Sequence, residues 1–371
     1  MILYYLFFFI TAIAVAFESN QDNNKYAYRN REISFLGYTF LFLTSLFVGT
    51  RLYVGADYDL YSLNFDNLLS DNFFDLFFSI SSYVARDIGY EFVSLLAKNL
   101  NLGFEGATLI CGFLFSLGLV KFCFSLPRPW LALLVSIPYI VIVVAMGYMR
   151  QGVALAFLMW AISYLIEGKK RHYFILLLVG ALFHKSVIIF ILLPALLFNA
   201  DRLRAIILLI IFFPLLYVLV IAETIAGLSY NYLVLNQQSG GAFIRLLLTF
   251  VSGMLYFLFI YQKISNQIEK KIWMFFSIFS FVLLALYFVV SSSTAVDRVA
   301  LYLLPLQVYV FSTLPDNLAI TDRGRNFLWV FFVICVFLMI LSVWLIFGAH
   351  ASYWLPYQSW LLMPETPIRH L

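Results

Sequence analysis

The chain has 371 residues, of which 64% are hydrophobic and only 11% are charged. Because about a quarter of the residues in a typical soluble domain are charged, this composition predicts an integral membrane protein. The net charge of +4 is spread between loops and forms no basic patch, which excludes a nucleic-acid-binding protein.

Apolar runs long enough to cross a bilayer recur along the whole chain. A transmembrane β-barrel would alternate polar and apolar residues, so these runs predict an all-α bundle of about 11–12 membrane segments in a single polytopic domain over 1–371. The expected segments are 2–17, 33–50, 104–124, 130–148, 151–167, 172–183, 186–200, 204–222, 243–262, 272–291, 297–314 and 327–348. The first segment lacks a preceding basic region, which favours a retained helix over a removed signal peptide.

The positions of lysine and arginine predict the orientation, since these residues favour cytoplasmic loops. Basic residues in the first loop place the N-terminus outside, and others recur at 169–171, 202–204, 263–271 and 323–325. One ordinary span between Arg171 and Arg202 would invert every later loop. A hairpin of two half-length helices over 172–200, with its tip at 184–186, removes this conflict; one long tilted helix is the alternative.

This topology gives two long outer loops, 51–103 and 223–242, and an outward C-terminal tail, 349–371. The polar and apolar residues at 71–80 predict a helix that lies in the membrane interface. Amides and glycines at 236–241 are typical of a flexible rim that hydrogen-bonds sugar hydroxyls. The aromatic residues of the tail are typical either of rings that stack on sugars or of a membrane belt.

The stretch 51–61 holds one arginine, two aspartates, a glycine and three tyrosines directly after an apolar segment. Such polarity at a membrane boundary favours a functional site, although an interfacial loop anchored by tyrosines is the simpler interpretation. Arg51 beside Gly55, with carboxylates at Asp57 and Asp59, suits a phosphorylated substrate whose attacked group also needs a base. The two aspartates are able to chelate a divalent ion, but the arginines make one unnecessary, so neither metal nor cofactor is expected.

Several polar groups fall at the predicted outer ends of other helices. The basic residues left outside are Arg51, Arg86, Lys98, Arg150, Lys185, Arg245, Arg298 and Arg369, and the polar pairs are Tyr90 with Glu91, Arg150 with Gln151, His184 with Lys185, and Asp297 with Arg298. A cation at the start of a helix opposes the helix dipole, so Arg150 there favours an anion-binding role. The alternatives are Asp297 as a helix N-cap, Glu91 as an ion-pair partner of Arg86, and His184 as a core histidine.

These motifs, in this order, resemble the EpsG family of exopolysaccharide biosynthesis proteins, which is similar to Wzy-type polymerases of O-antigen and capsule. The matching residues are Arg51, Gly55, Asp57, Tyr58 and Tyr61, then Tyr90-Glu91, Arg150-Gln151 with Ala154, His184-Lys185-Ser186, and Asp297-Arg298. The resemblance implies a bundle of the lipid-dependent membrane glycosyltransferase kind in the inner (cytoplasmic) membrane of a bacterium, with its site facing the periplasm or exterior. It also implies an enzyme that joins oligosaccharide repeat units carried on undecaprenyl pyrophosphate.

In such a reaction a hydroxyl of one repeat unit attacks an anomeric carbon, and the pyrophosphate leaves. Asp57 is the expected base, with His184 as the second choice for this catalytic role. The expected substrate-binding residues are Arg51, Tyr58, Tyr61, Glu91, Arg150, Gln151, Lys185, Asp297 and Arg298, of which the three arginines are the candidates for pyrophosphate. Expected partners are the lipid-linked oligosaccharide, membrane lipids, and a chain-length regulator and flippase of the same pathway.

Three other functions fit parts of the pattern. An O-antigen ligase uses the same donor and differs only in its acceptor. A lipid-linked oligosaccharide flippase or transporter would need charged residues along a path through both leaflets, whereas the cytoplasmic half of the predicted helices is nearly free of charge. A sugar acyltransferase that depends on His184 is the weakest alternative.

Overall fold

The computed structural model describes residues 1–18, 32–68, 87–197, 240–290, 293–319 and 323–362. Within these ranges the chain is almost entirely helical and contains no strand. Six helices there are long and apolar enough to cross a membrane, namely Gly103–Ser125, Met149–Ile166, Ala242–Lys263, Gln267–Val289, Val296–Leu318 and Gly324–Phe347. The prediction of an all-α polytopic membrane protein is confirmed.

The helices follow one another closely along the described ranges. Before the central hairpin they are α1 (Ile2–Ala16), α2 (Phe35–Gly49), α3 (Tyr58–Asp66), α4 (Ile88–Asn99), α5 (Gly103–Ser125), α6 (Pro129–Ser136), which continues as a π-helix over Ile137–Ala145, and α7 (Met149–Ile166). The hairpin consists of α8 (Lys170–Phe183), a 3-10 helix (Lys185–Leu192) and α9 (Leu193–Leu197). After it come α10 (Ala242–Leu255), α11 (Gln267–Val289), α12 (Ser293–Ala300), α13 (Leu304–Leu318), α14 (Arg323–Phe347) and a 3-10 helix at Ala351–Trp354.

Two of the spanning helices form the centre of the bundle. Within an 18-residue apolar stretch of each span, 94% of the residues are buried in the span that contains α13 and 83% in α7, but only 28% in α14. A helix that is apolar on all sides is stable either inside a large core or against lipid. We therefore assign α7 and α13 to the protein interior, while α14 presents most of its surface to the bilayer.

The structure contains the hairpin predicted for 172–200 as far as residue 197, where the described part of this segment ends. α8 ends at Phe183, His184 adopts an extended conformation, and the following 3-10 helix packs back against α8. The Tyr173 hydroxyl donates a hydrogen bond to the carbonyl of Phe190, 17 residues further on. A straight α-helix would separate these two residues by about 25 Å. One long tilted helix is therefore excluded, and His184 lies at the tip of the hairpin.

Polar side chains gather at two ends of the bundle. At one end, Arg128 pairs with Asp316 through contacts of 2.9 and 2.8 Å and also donates to the side-chain oxygen of Asn326 at 2.7 Å. Buried charges are tolerated when they are paired and hydrogen-bonded in this way. This end, which we call the opposite end, joins α6, α13 and α14, while the end with Asp57 and His184 is called the site end.

The C-terminal tail is part of the fold as far as the structure describes it. The Leu52 N–H donates to the Gln358 carbonyl at 3.0 Å, which ties residues 351–362 to the loop after α2. Trp354 is only 2% exposed, and its indole N–H donates to the Ile142 carbonyl at 2.8 Å. Burial of Trp354 satisfies both its apolar face and its N–H group, so this ring anchors the tail in the bundle. The placement of the tail on the outer side of the membrane stays a prediction.

Some predicted features fall outside the described residues. These are the segment at 204–222, the interfacial helix at 71–80, most of the amide rim at 236–241, and the pairing of Glu91 with Arg86. The other predicted segments coincide with observed helices to within a few residues at most ends, which is the usual uncertainty of helix boundaries.

Candidate active site

The loop between α2 and α3 presents Asp57 from a tightly packed turn. Gly55 has a φ of +108°, which side chains disfavour, and a Cβ atom there would lie 2.3 Å from the Met146 carbonyl oxygen. The Gly55 N–H donates to the Tyr353 carbonyl at 2.9 Å. Glycine is therefore required at this position, and the loop is held between the end of the π-helix and the tail.

Arg51 lies beneath this loop and is only 1% exposed. Its guanidinium donates to the carbonyl oxygens of Val48 and Val54, and a third nitrogen lies 3.6 Å from the Met149 sulfur. Carbonyl groups at the end of a helix carry partial negative charge and favour a cation. The guanidinium that was expected to bind pyrophosphate is thus engaged with the end of α2 and the backbone of the loop.

The Asp57 carboxylate is half-buried at the start of α3 and makes no capping hydrogen bond. No donor in the described part of the chain bonds to it, but the positive charges of Arg298 and Arg150 act on it. Burial raises the pKa of the Asp57 carboxyl, and the two arginines offset part of this rise. Its lone pairs are therefore available to accept a proton.

Arg150 stands at the start of α7 and is held by three side chains. Its Nη1 lies 2.8 Å from a carboxylate oxygen of Asp87, and its guanidinium is 5.3 Å from the ring centre of Tyr61 and 5.9 Å from that of Tyr90. Its side chain nevertheless remains 37% exposed. The Asp87 carboxylate balances the charge of Arg150 and the two rings orient its guanidinium. Its exposed side remains able to donate hydrogen bonds to a bound anion.

Arg298 approaches the same region from α12. Its guanidinium lies over the ring of Tyr148, 4.4 Å from the ring centre, and its backbone carbonyl accepts a hydrogen bond of 2.8 Å from the Gln151 amide. No carboxylate in the described ranges forms an ion pair with it. Gln151 therefore fixes the backbone of Arg298 relative to α7, and the charge of Arg298 remains available for a bound anion.

The hairpin tip brings a third group to the site. The Nδ1 atom of His184 lies 3.3 Å from the Ser186 hydroxyl, which in turn lies 2.8 Å from the Tyr302 hydroxyl. The charges of Arg150 and Arg298 act on the His184 ring. The imidazole is thus joined to two hydroxyl groups close to the same arginines as Asp57, and such a chain is able to orient the ring and its proton.

Asp297 is engaged with a partner inside the protein. Arg245 of α10 forms a bidentate ion pair with it, with an Nε–Oδ1 distance of 2.9 Å, and the exposures of the two residues are 7% and 3%. Breaking a buried pair leaves an uncompensated charge and costs about 3–5 kcal/mol. Direct substrate binding by Asp297, which the sequence predicts, would require this pair to separate.

The comparison with protein families decides what kind of protein this is. The model of the EpsG family matches residues 34–359, which include every residue of the site described above. The chain belongs to the EpsG family. The EpsG family is an exopolysaccharide biosynthesis family. No curated protein and no solved structure matches the chain.

The structure brings together about half of the site residues that the sequence predicts for this EpsG protein. Asp57, Tyr61, Arg150, Gln151, His184 and Arg298 converge, and Lys185 and Glu91 lie half-buried beside them on the hairpin tip and on the first turn of α4. Tyr58 instead packs edge-on against Phe104 at 5.2 Å and is 4% exposed. In the described part of the chain, no three metal-ligating side chains of the His, Cys, Asp or Glu type converge.

Two charged residues of the EpsG site were not predicted as members of it. Asp87, the partner of Arg150, belongs to none of the short motifs in the sequence, so the sequence gives no reason to place it in the site. The sequence did contain a signal for Arg245. The predicted orientation leaves this residue on the outer side, although basic residues usually favour cytoplasmic loops. A cation in that position, inside an otherwise apolar helix, indicates a buried carboxylate partner.

Proposed function

We propose that this EpsG protein is a polysaccharide polymerase, a glycosyltransferase that joins lipid-linked repeat units at the outer face of a bacterial inner membrane. The observation that carries the proposal is the half-buried Asp57 carboxylate, which lies within the electrostatic influence of Arg150 and Arg298. Two cations beside a group with free lone pairs suit the transfer of a sugar from a phosphorylated donor, because the leaving group needs cations and the attacking hydroxyl needs a base.

The proposed donor is a growing chain whose reducing-end sugar is attached to undecaprenyl pyrophosphate. A hydroxyl oxygen of the incoming repeat unit attacks the anomeric carbon, and the bond from that carbon to the pyrophosphate oxygen breaks. The bonding electrons leave with the pyrophosphate, whose charge Arg150 and Arg298 stabilise. The hydroxyl proton passes to Asp57, so the products are an extended chain and free lipid pyrophosphate.

Other residues support this reaction in distinct ways. Tyr61 and Tyr90 hold the Arg150 guanidinium, and Arg51 shapes the loop that presents Asp57. We assign His184, with the hydroxyls of Ser186 and Tyr302, to orienting the acceptor; it is also the second choice for the base. Membrane lipids, a chain-length regulator and a flippase of the same pathway remain the proposed partners.

Packing in the middle of the bundle supports an enzyme over a transporter. Apolar side chains such as Leu133, Leu158 and Val308 are at most 1% exposed and fill the interior. Charged groups along a path through both leaflets would be expected of a lipid-linked oligosaccharide flippase. A site confined to one end of a packed bundle fits chemistry at that surface.

Deletion of the gene, followed by sizing of the surface polysaccharide, tests the proposal. Loss of a polymerase leaves single repeat units in place of long chains, whereas loss of a flippase or ligase leaves no repeat units at the surface. Purified protein should also lengthen lipid-linked repeat units without added energy, because cleavage of the glycosyl pyrophosphate drives the transfer. If the deletion strain retains full-length polymer, the protein is not the polymerase.

A further inference from the structure

A cavity of about 470 Å³ lies beside the candidate active site, between the site ends of α10, α12 and α14. Sites for small molecules typically measure about 300–1,000 Å³. α10 and α14 both pack against α13, and the cavity is the gap between these two helices. Buried residues of the π-helix, Tyr139 and Val143, form part of its wall.

One wall of this cavity is positively charged. Arg298, Arg245 and Asp297 line it, and the bidentate pair between Arg245 and Asp297 is neutral as a unit. Arg298 adds a positive charge that the ring of Tyr148 positions but does not neutralise. An anionic group therefore fits this wall better than a neutral or cationic one.

The other wall faces the bilayer. Ile244 of α10 and Val343 and Phe347 of α14 line the cavity, and they are 53%, 42% and 77% exposed. Exposed apolar residues on membrane-spanning helices contact lipid chains. The cavity thus joins an apolar, lipid-facing side to a cationic, protein-facing side, which matches a molecule with an anionic head and a long apolar chain.

Arg298 also connects the cavity to the reacting groups. Its charge acts on the Asp57 carboxylate and on the His184 ring, and its ring partner Tyr148 directly precedes α7, which begins with Met149 and Arg150. A head group bound at Arg298 would therefore lie within electrostatic reach of the proposed base, while its chain remained between α10 and α14. A lipid bound in this way would reach the proposed base without its head group crossing the bundle.

We propose that the cavity between α10 and α14 is a lateral entrance through which a membrane lipid with a phosphate-containing head reaches Arg298. The identity of this lipid as the sugar donor rests on the function proposed above. Binding of the lipid phosphate itself does not rest on that function. It depends only on the charge of Arg298 and on the lipid-facing residues Ile244, Val343 and Phe347.

Photo-crosslinking of the full-length protein in lipid nanodiscs tests the entrance. Benzoylphenylalanine replaces Val343, which lines the cavity, or Ile346, a matched control on the same turn that is 56% exposed but does not line it. With radiolabelled undecaprenyl phosphate as the probe, we expect several-fold more capture at 343 than at 346, and loss of that excess in Arg298→Gln. Equal capture at the two positions, or an excess that Arg298→Gln leaves intact, would overturn the proposal.

Inorganic pyrophosphate separates a lipid site from a general phosphate site. We expect millimolar pyrophosphate to leave most of the capture at 343 in place, because the apolar chain contributes to binding only when it is attached to the head. If pyrophosphate abolishes capture as efficiently as unlabelled undecaprenyl phosphate does, the apolar wall contributes nothing and the entrance is refuted.

A kinetic experiment separates the entrance from the proposed function. Val343→Trp narrows the gap, whereas Ile346→Trp places the same bulky side chain outside it. For extension of lipid-linked repeat units we expect Val343→Trp to raise KM about tenfold with little change in kcat, since it weakens access of the donor. Equal rates in the two variants would refute the entrance alone. Lipid capture by the variant with benzoylphenylalanine at 343, together with a wild-type protein that extends no repeat units, would refute the proposed function alone.

Discussion

Replacement of Asp57 by asparagine tests the proposed chemistry most directly. The amide keeps the size and hydrogen-bonding capacity of the side chain but is too weakly basic to accept the proton. Because no described donor bonds to this carboxylate, and Gly55 and the tail hold the loop independently of it, the fold should survive. A lost general base reduces turnover by about 10²–10⁴, which corresponds to about 3–5 kcal/mol of transition-state stabilisation.

The assay is extension of lipid-linked repeat units by purified protein, with donor binding measured in parallel. We expect Asp57→Asn to bind the donor normally and to turn it over slowly. Asp59→Asn is the matched control, since Asp59 lies two residues further on in the first turn of α3 and is exposed. It should retain a rate close to that of the wild type.

The pH dependence gives a second measurement of the same base. Burial raises the pKa of the Asp57 carboxyl, and a base acts only when it is ionised. The rate should therefore fall as the pH drops through a pKa above the ordinary value for aspartate. Of the two arginines that lower the pKa of Asp57, Arg298 has the larger effect. Arg298→Gln should therefore move this acidic limb to higher pH, while Asp57→Asn should abolish it.

One pair of results would refute this assignment. If Asp57→Asn extends chains at the wild-type rate while His184→Gln binds the donor without turnover, the base is His184. Asp57 would then be a structural residue of the turn, and the arginines would serve a histidine at the hairpin tip.

Three further predictions follow from contacts at the site end and from the orientation. Arg150→Lys keeps the charge but loses the planar group that lies against the rings of Tyr61 and Tyr90, so we expect much shorter polymer at normal protein level, unlike the exposed control Arg171→Lys. Trp354→Ala removes a buried ring and its hydrogen bond, so we expect a loss of about 3–5 kcal/mol in stability and of activity, measured by thermal unfolding and chain extension. Cysteine at Asp59 should react with an impermeant thiol reagent from outside the cell, and cysteine at Lys170 should not.

Each of these predictions has a result that contradicts it. Full-length polymer from both Arg150→Lys and Arg150→Ala would remove Arg150 from the anion site. Equal unfolding temperatures for Trp354→Ala and for Tyr353→Ala, whose side chain is 52% exposed, would mean that the tail does not hold the loop. In a background that lacks the exposed Cys335, labelling of Lys170→Cys from outside would reverse the orientation and place the site in the cytoplasm.

The sequence by itself determined the helices, the hairpin and the family. Apolar runs must become helices in a bilayer because no water is present to bond the backbone, so their lengths and order can be read directly. The hairpin at His184 followed from the charges of the loops on either side, which one span would have placed on opposite faces. The short motifs at 51–61, 150–151, 184–186 and 297–298 indicated the EpsG family, and the family match agrees.

Only the tertiary structure decided the partners of the charged side chains at the site end. Arg51, Arg150 and Arg298 stand at similar places in the sequence, yet the first bonds to backbone carbonyls, the second to Asp87, and the third lies over a tyrosine ring. Arg51 bonds to carbonyl groups only three residues away. Asp87 and Tyr148, by contrast, lie far along the chain from Arg150 and Arg298, and only the packing of the bundle brings them together.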